Sequence, residues 1–265
     1  MTEQEQVLED LSADGVVDAI TWAQRSTYRR VLADLSREAG YKNSSIGTAA
    51  YDVMVDRLDR VCQCGPFEPD PDAPEGGSDV LYEGLHTDEQ LERWLLPSGQ
   101  VVRDDANGSQ GWRSGRWRWL RASFKFDKID EIRWPTKSFT KQRVAQQPYP
   151  EEDALFSVEE LEELGGMTAA FSLEEFRETL VLAHSADIIT GQTQLFLGRP
   201  RWNVDGGPAW HWRHDLLGLS PEDGRGQVGD EPFAPMPTTP SEVADAPVRL
   251  RPAGSDPAKR ARDHG

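Results

Sequence analysis

The segment 112–134 combines basic and aromatic side chains in a pattern that can bind a strand of nucleic acid. Residues 101–145 carry eleven Lys and Arg against five Asp and Glu, a local balance of +6 in a chain of net charge −17. Arginine pairs with phosphate, and an exposed tryptophan stacks on an unpaired base at about 1–3 kcal/mol per base. The sequence therefore predicts nucleic-acid contacts from Arg113, Arg116, Trp117, Arg118, Trp119, Arg121 and Lys125.

The same segment has a second interpretation as part of the hydrophobic core. Aromatic and basic residues alternate from 116 to 126, which predicts a strand with a bend near 120–122 and a hairpin partner over 129–134. In the first interpretation the tryptophan face is exposed and binds a ligand. In the second it packs into the core, and the arginine face is solvated or pairs with acidic neighbours.

Two residue pairs have the side chains of a zinc site without its usual spacing. Cys62 and Cys64 have one residue between them, and His211 and His214 have two. Zinc modules usually have two to four residues between cysteines and three to five between histidines. The pairs also lie far apart in the chain, and on a strand the two histidines would point to opposite faces. We therefore predict no metal site and no cofactor.

A group of carboxylates beside two lysines offers a weaker, catalytic interpretation. Asp127, Asp130 and Glu131 lie near Lys125 and Lys128, a composition similar to that of a nuclease cluster. Alternating charges are more typical of a solvated hairpin. The chain also lacks the glycine-rich phosphate loops, the nucleophile elbow and the His-Glu zinc motif. We therefore assign no catalytic residue, and a metal-dependent nuclease is the weakest of three hypotheses.

The segment LSREAGYKNSSIGTAAYDVM (35–54) resembles a helix-turn-helix unit. A small residue follows Leu35, Gly40 occupies the turn, and Ile46 is the apolar residue early in the second helix. Glycine permits the tight turn, and small and apolar residues let the two helices cross closely. The resemblance implies contacts to phosphates or base edges from Lys42, Asn43, Ser44, Ser45 and Thr48.

At the level of the fold, residues 14–105 resemble a winged helix-turn-helix domain with an acidic loop over 62–79. Elements predicted after Val80 would supply the wing. The same helices have a second interpretation as an ordinary αα-hairpin or as a winged-helix fold used for protein contacts. This second interpretation arises because three aspartates line the later half of the second helix and repel phosphate.

Apolar spacing, capping residues and breakers predict the other elements. Residues 1–13 are expected to be frayed or disordered, 106–218 to form an α+β region, and 219–265 to be a disordered tail. Helices are expected over 15–25, 27–39, 44–61 and 87–96, and acidic helices are expected to begin near Ser157 and Ser172. Strands are expected over 80–82, 99–103, 194–197, 202–204 and 209–213. His184, near Asp187, is interpreted as a locally satisfied histidine at a helix end.

These patterns together predict an α+β fold. It consists of a three-helix, helix-turn-helix-like unit, then a small antiparallel sheet with acidic helices, and a disordered C-terminal tail. The acidic composition weighs against duplex binding by the whole surface. No apolar run is long enough to span a membrane and the start lacks the features of a signal peptide, so we expect a cytoplasmic location.

The leading functional hypothesis is a non-catalytic, regulatory nucleic-acid-binding protein from a bacterium. The second hypothesis is an adaptor in a larger complex, which would use the acidic helices of 151–178 to contact a basic protein partner. The nucleic-acid hypothesis depends on which face of the Trp and Arg strand meets solvent.

Overall fold

The computed structural model describes residues 1–35, 38–69, 79–86, 89–149, 176–218 and 226–227. Two sequence predictions fall almost wholly outside these ranges, the acidic helices expected from Ser157 and Ser172 and the tail over 219–265, and half of the acidic loop expected over 62–79 also lies outside them.

The N-terminal segment forms a helix, α1 (Glu3–Ala13), so the prediction of a frayed start over 1–13 is wrong. The Thr2 hydroxyl accepts a hydrogen bond from the backbone N–H of Glu5 at 3.2 Å, and the backbone N–H of Thr2 donates to the Glu5 carboxylate at 2.8 Å. This capping box satisfies two N–H groups at the helix start. Val7 and Leu11, one turn apart, are buried in the core.

A single long helix, α2 (Val16–Asp34), replaces the two helices expected over 15–25 and 27–39. The polar residues at the expected break are buried and hydrogen-bonded, so they do not end the helix. Thr27 donates its hydroxyl to a carbonyl one turn earlier at 2.7 Å, and the Ser26 hydroxyl accepts from a buried arginine of the following helix at 2.7 Å.

The next helix, α3 (Asn43–Val61), confirms the helix expected over 44–61. It packs on α2 through a cluster that includes Tyr28, Val31, Ile46 and Ala50. The two helices therefore form an αα-hairpin. None of the helices in the described part of the chain is long and apolar enough to cross a membrane.

Seven strands in the described residues form one mixed sheet. They are β1 (Val102–Arg103), β2 (Gly111–Ser114), β3 (Trp117–Ser123), β4 (Thr179–Ala186), β5 (Gln192–Pro200), β6 (Trp210–Asp215) and β7 (Gly226–Gln227). Strands β1 to β6 lie side by side in chain order, and β7 also pairs with β5. The α+β class is confirmed. The sheet is mixed rather than antiparallel because β3 and β4 run parallel, with Leu120 opposite Val181.

The expected wing does not form, and the structure gives no support to a winged-helix domain. Residues expected as a strand over 80–82 form a short helix, α4 (Asp79–Tyr82). Of the helix expected over 87–96, the described residues 89–96 contain a 3-10 turn at Leu91–Arg93 and no α-helix. Strand β1 covers the end of the strand expected over 99–103. It pairs with β2, so this material belongs to the central sheet.

A crossover connects β3 to β4 and replaces the hairpin partner expected over 129–134. Parallel strands require such a crossover, because a tight turn can join only antiparallel neighbours. The crossover contains 3-10 turns at Ile129–Glu131 and Trp134–Thr136 and a helix, α5 (Phe139–Ala145).

The strands expected over 194–197 and 209–213 correspond to β5 and β6, but residues 202–204 form no strand. Asn203 lies in this connection and is buried. Its side chain donates to the carbonyl of Ile132 at 2.8 Å and accepts from the backbone N–H of Trp134 at 3.1 Å. The segment therefore binds the crossover to the sheet.

Both faces of the sheet are covered by other parts of the chain. One face contributes to a core shared with α1, α2 and α3, and the opposite face packs on the crossover. A central strand that is buried on both sides has no solvated face. The side chains of β3 that the sequence predicted as nucleic-acid contacts therefore face covered layers of the protein.

Candidate functional site

The two tryptophans of β3 belong to the core. Trp119 is 0% exposed and Trp117 is 4% exposed, so neither ring has a free face for a base. The Trp117 indole N–H donates to Asp10 of α1 at 2.8 Å. The predicted stacking platform is therefore wrong, and the second interpretation holds for the tryptophan face.

The arginines at the start of β3 are occupied by acidic residues of the same chain. Arg118 is buried and makes two hydrogen bonds to Asp104, at 2.9 and 2.6 Å, and Arg113 also pairs with Asp104 at 2.5 Å. Although burial opposes the shift, these hydrogen bonds lower the pKa of the Asp104 carboxyl. Arg116 is exposed, stacks on the Trp117 ring, and approaches acidic side chains at 3.9 and 4.0 Å.

Arg121 is buried on the tryptophan side of the strand because the bend predicted near 120–122 is absent. The pairing with β4 runs without interruption from Arg118 to Ser123, so Arg121 shares its face with Trp119. Its guanidinium stacks on the Tyr51 ring at 3.4 Å and donates to the Tyr51 carbonyl and to Gln110 Oε1, the latter at 2.9 Å. In the described residues no carboxylate accepts a hydrogen bond from it.

A cavity of about 430 Å³ lies at the ends of β3 and β4, beside the start of α3. Parallel strands end on the same side of a sheet, and ligands bind outside such carboxyl ends in many α/β proteins. The walls come from α2, from the first turns of α3, and from the residues that end or follow β3 and β4. They include Tyr28, Asn43, Ile46, Gly47, Ser123, Phe124, Lys125, Phe126, His184 and Asp187.

The cavity brings together two of the residues that the sequence predicted as contacts. Asn43 comes from the helix-turn-helix-like segment and Lys125 from the Trp and Arg strand. The remaining predicted residues of α3 are exposed around the helix start without lining the cavity: Lys42, Ser44, Ser45 and Thr48. Helix α3 has no side-chain cap, so its first N–H groups and the positive end of its dipole favour an anion.

A buried histidine and tyrosine form part of the cavity wall. His184 is 1% exposed and its Nδ1 lies 2.9 Å from the Tyr28 hydroxyl oxygen. His184 Nε2 has no hydrogen-bond partner in the described part of the protein. Burial, reinforced by the positive charges of Arg121 and Lys137, lowers the pKa of His184 to about 3, so the imidazole is neutral at physiological pH.

The hydrogen-bond inventory favours one tautomer of His184. If the Tyr28 hydroxyl donates to Nδ1, the proton of the neutral ring is on Nε2, and one buried donor lacks a partner. If Nδ1 donated instead, the Tyr28 hydroxyl proton and the Nε2 lone pair would both lack partners. Because unsatisfied buried groups cost about 1–3 kcal/mol each, the first arrangement is favoured, and it presents an N–H donor at Nε2.

Two lysines, Lys137 and Lys141, lie close to Arg121 and to each other. Lys137 donates to the carbonyl of Ser123 at 2.8 Å. Burial, with repulsion from Lys137 and Arg121, lowers the pKa of Lys141 to about 8. No carboxylate of the described residues forms an ion pair with either lysine. Asp187, the one acid named in the wall, accepts hydrogen bonds from Ile189 and Thr190 in its own turn.

Gly47 occupies a helix position for which the protein's own packing gives no reason. A side-chain Cβ at this position would meet no atom of the described residues within 4 Å, and the backbone there is helical. Glycine inside a helix costs about 1 kcal/mol relative to alanine. Gly47 is exposed and lies in the cavity wall, so a side chain there would have room at the edge of the cavity.

A second cavity, of about 350 Å³, lies between α2, Trp94 and Leu216. Its buried carboxylate, Glu89, already accepts a hydrogen bond from Ser26 and lies 3.8 Å from Arg57. The cavity therefore offers no buried polar group in need of a ligand, and we consider the first cavity the better candidate.

The cysteine and histidine pairs occupy different environments. Both cysteines are buried, and Cys64 donates to Asp59 at 3.6 Å. A hydrogen bond with Cys64, together with burial, raises the pKa of the Cys62 thiol well above its usual value. His211 stacks on Tyr149 with ring centres 4.4 Å apart. Over the ranges that the structure describes, no three His, Cys, Asp or Glu side chains are grouped so as to hold a metal ion.

The carboxylates of the nuclease hypothesis are separated by their own partners. Asp127 and Gln194 exchange two hydrogen bonds of 2.9 Å, and Asp130 binds Arg213 through two hydrogen bonds of 2.9 and 2.8 Å. Glu131 pairs with Lys128. The three acids therefore do not converge on one point, which removes the geometry that this hypothesis needs.

The sequence missed the central residue of the cavity. His184 was expected at a helix end, but it lies in β4, as the one ionisable residue of the run TLVLAHSA. A single ionisable residue in a run that reads as a fully buried strand is the signal that identifies it. No feature of the sequence identifies Tyr28 as its partner, because the two residues are 156 positions apart and meet only in the folded protein.

Comparison of the chain with protein-family models, curated proteins and solved structures gave no match.

Proposed function

We propose that the protein binds nucleic acid in the bacterial cytoplasm without catalysis, through the cavity between α3 and the ends of β3 and β4. One observation carries the proposal: an unpaired buried donor, His184 Nε2, shares this cavity with the uncapped start of α3 and with Lys125. Phosphate is an anionic acceptor, and helix starts and lysines are its usual partners.

The surroundings of the cavity favour a single strand over a duplex. Phe124 and Phe126 flank Lys125 and are half-buried, so part of each ring remains available to a base. The net charge of −17 repels the extended phosphate surface of a duplex, whereas a single strand can enter a local site.

The proposal is tested by fluorescence anisotropy with labelled single-stranded and duplex oligonucleotides over a series of salt concentrations. We expect single-strand binding that weakens with salt and is lost in Lys125→Ala. Arg133→Ala, which removes an exposed cation elsewhere, serves as the charge-matched control and should bind normally. Undetectable binding, or binding that does not depend on salt, contradicts the proposal.

The Arg116→Ala variant separates the cavity from the opposite end of β3. Arg116 stands at the beginning of the strand and Lys125 follows its end. The proposal requires that Lys125→Ala weakens binding far more than Arg116→Ala does. The reverse order would assign the contact to the arginine row and overturn the cavity as the site.

The adaptor hypothesis stays a prediction, because its acidic helices lie outside the described residues except for 176–178. Deleting 146–265 would not test it, since the deletion removes β4, β5 and β6 from the sheet. Neutralising Glu151, Glu152 and Asp153 and measuring the recovery of partners by pull-down from the native host is the suitable experiment.

A further inference from the structure

We infer that the cavity recognises a terminal phosphate, the phosphomonoester end of a nucleic-acid strand, and that His184 Nε2 donates a hydrogen bond to one of its oxygens. The inference rests on the proposed function and makes it more specific. It concerns which part of a nucleic acid enters the protein and which side chain recognises it.

The depth of His184 limits what can reach it. The residue is 1% exposed, so an atom that bonds to its Nε2 must enter the interior of the protein. An internal phosphodiester has chain on both sides and needs a groove with two exits. A phosphomonoester has one substituent and three free oxygens, and can enter end-on.

The charge of the surroundings also fits a phosphomonoester. This group carries about −1.5 to −2 charges at pH 7, against −1 for a phosphodiester. The cavity faces the positive end of α3 and Lys125, with Arg121 and Lys137 close enough to influence His184. Asp187 also lines the cavity, and both oxygens of its carboxylate accept hydrogen bonds from its own turn. A neutral N–H donor beside more positive than negative groups favours an anionic acceptor over a cation.

Gly47 supplies the space that the inference requires. It lines the same cavity, and a side chain added there would meet no protein atom within 4 Å. Filling the space is therefore expected to block binding while leaving the helix as stable as before, or more so.

Tyr28 acts as a positioning residue in this arrangement. Its hydroxyl fixes the proton of His184 on Nε2 and does not itself need to meet the ligand. Tyr28→Phe removes the hydroxyl, so the proton of His184 should no longer be confined to Nε2. The nitrogen chemical shifts of the imidazole, measured by NMR, report which nitrogen carries the proton. A role confined to packing would leave those shifts unchanged, because phenylalanine preserves the ring.

The experiment compares one single-stranded oligonucleotide in three forms: with a 5′-phosphate, with a 3′-phosphate, and with hydroxyls at both ends. Anisotropy should show about tenfold tighter binding of a phosphorylated form, the size of one charge-assisted hydrogen bond. Inorganic phosphate and a 5′-mononucleotide serve as competitors, and they show whether the phosphate alone or the attached nucleoside is also required.

Three variants at two positions test the residues. His184→Gln keeps an N–H donor and should retain part of the preference, whereas His184→Leu should lose it. Gly47→Gln should lose it with no fall in melting temperature, and Ser12→Gln on α1, an exposed helix position elsewhere, is the matched control. Gly47→Gln keeps the test decisive if His184→Leu does not fold.

The outcomes separate the inference from the proposed function. If no form of the oligonucleotide binds, the proposed function fails. If all three forms bind equally, nucleic-acid binding stands and the terminal-phosphate inference is wrong. A preference that survives in folded Gly47→Gln also overturns the inference, because the phosphate then binds elsewhere.

Discussion

At the scale of single residues, His184 makes the stability of the protein depend on pH. Its pKa is about 3 in the folded state and about 6.5 in a solvated chain, so between these values the unfolded state binds the proton and the folded state does not. Stability is therefore lost as the pH falls below about 6.5, by up to about 1.4 kcal/mol per pH unit. Arg121 and Lys137 strengthen the effect because they also repel a charged imidazole.

Urea unfolding of the wild type and of His184→Gln at several pH values between 7 and 4 measures this contribution. Carboxylates also titrate in this range, so the contribution of His184 is the difference in free energy of unfolding between the two proteins at each pH. The wild type should lose more stability than the variant between pH 6 and pH 4. Parallel curves would show that the imidazole is not buried in its neutral form.

Lys141 is expected to reduce stability while supporting binding. Its positive charge is partly buried near Lys137 and Arg121, and these effects lower its pKa to about 8. Lys141→Met should raise the free energy of unfolding by about 1 kcal/mol and weaken oligonucleotide binding several-fold, a trade-off typical of functional sites. Chemical denaturation and anisotropy measure the two effects, and Lys128→Met on an exposed turn should change neither by a comparable amount.

The sequence predicted some cavity residues but not the cavity itself. Asn43 and Lys125 have the polarity and neighbours of anion contacts, and this information is local. Arg121 was predicted on the arginine face of β3 because a bend was expected near 120–122. The strand has no such bend, so Arg121 lies on the tryptophan face. Burial of Trp119 depended on a second layer of helices, and alternation along one strand cannot show which of its faces another layer covers.

At the scale of elements, one buried ion pair attaches α1 to the sheet. The Glu3 carboxylate accepts from Arg199 Nε at 3.0 Å, pairs with another guanidinium nitrogen of Arg199, and accepts from the Trp212 indole at 2.7 Å. Arg199 is 1% exposed, so loss of Glu3 would leave a buried charge without its acid. Glu3→Ala should therefore destabilise the protein by about 3 kcal/mol.

Equilibrium unfolding in urea measures this effect, and Glu9→Ala is the control because Glu9 is exposed on the same helix. The control should change stability by less than about 0.5 kcal/mol. Equal effects of the two substitutions would mean that α1 contributes through its helix propensity and not through the ion pair.

Helices and strands with a clear local pattern in the sequence were predicted correctly. Elements whose formation depends on residues distant in the chain were not. Helix α3 followed from its apolar spacing and a glycine before it, and β5 from its aliphatic residues. Helix α1 was missed because its composition is polar and its docking group, Arg199, is 196 residues away. The expected wing failed because β1 pairs with β2, a choice that the short strand Val102–Arg103 does not encode by itself.

At the scale of the whole molecule, charge limits how strongly salt can affect binding. Two or three phosphate contacts to a single strand predict a fall in affinity of roughly 5- to 20-fold between 50 and 200 mM salt. The net charge of −17 opposes this effect, because salt also screens the repulsion between the protein and the strand. We therefore expect the observed fall to lie at the lower end of this range.

Anisotropy titrations at four salt concentrations give the slope of log affinity against log salt. Lys125→Ala should make the slope shallower by about 0.7, the contribution of one phosphate contact to a single strand, while Arg133→Ala should leave it unchanged. A slope as steep as that of a duplex-binding protein would indicate a far larger basic surface than the one cavity provides.

The parallel pairing of β3 and β4 joins two halves of the sheet that are distant in the chain, and we expect this joining to be slower than the formation of either half. Each pair in this register, from Arg118–Thr179 to Ser123–His184, joins residues 61 positions apart, whereas β2 and β3, and β4 and β5, are joined by short connections. Closing a long loop is entropically costly and slow, so the two halves should form before they join. Ala122→Gly should then speed unfolding without slowing folding, and Thr193→Ala should slow folding in stopped-flow experiments.

The cavity spans the ends of β3 and β4, so it exists only in molecules that have completed this last step. A nascent or partly refolded chain would already have its helices and hairpins, yet it would be unable to hold a ligand. Binding competence should therefore appear with the slowest folding phase, and a ligand that occupies the cavity would hold the two halves of the sheet together.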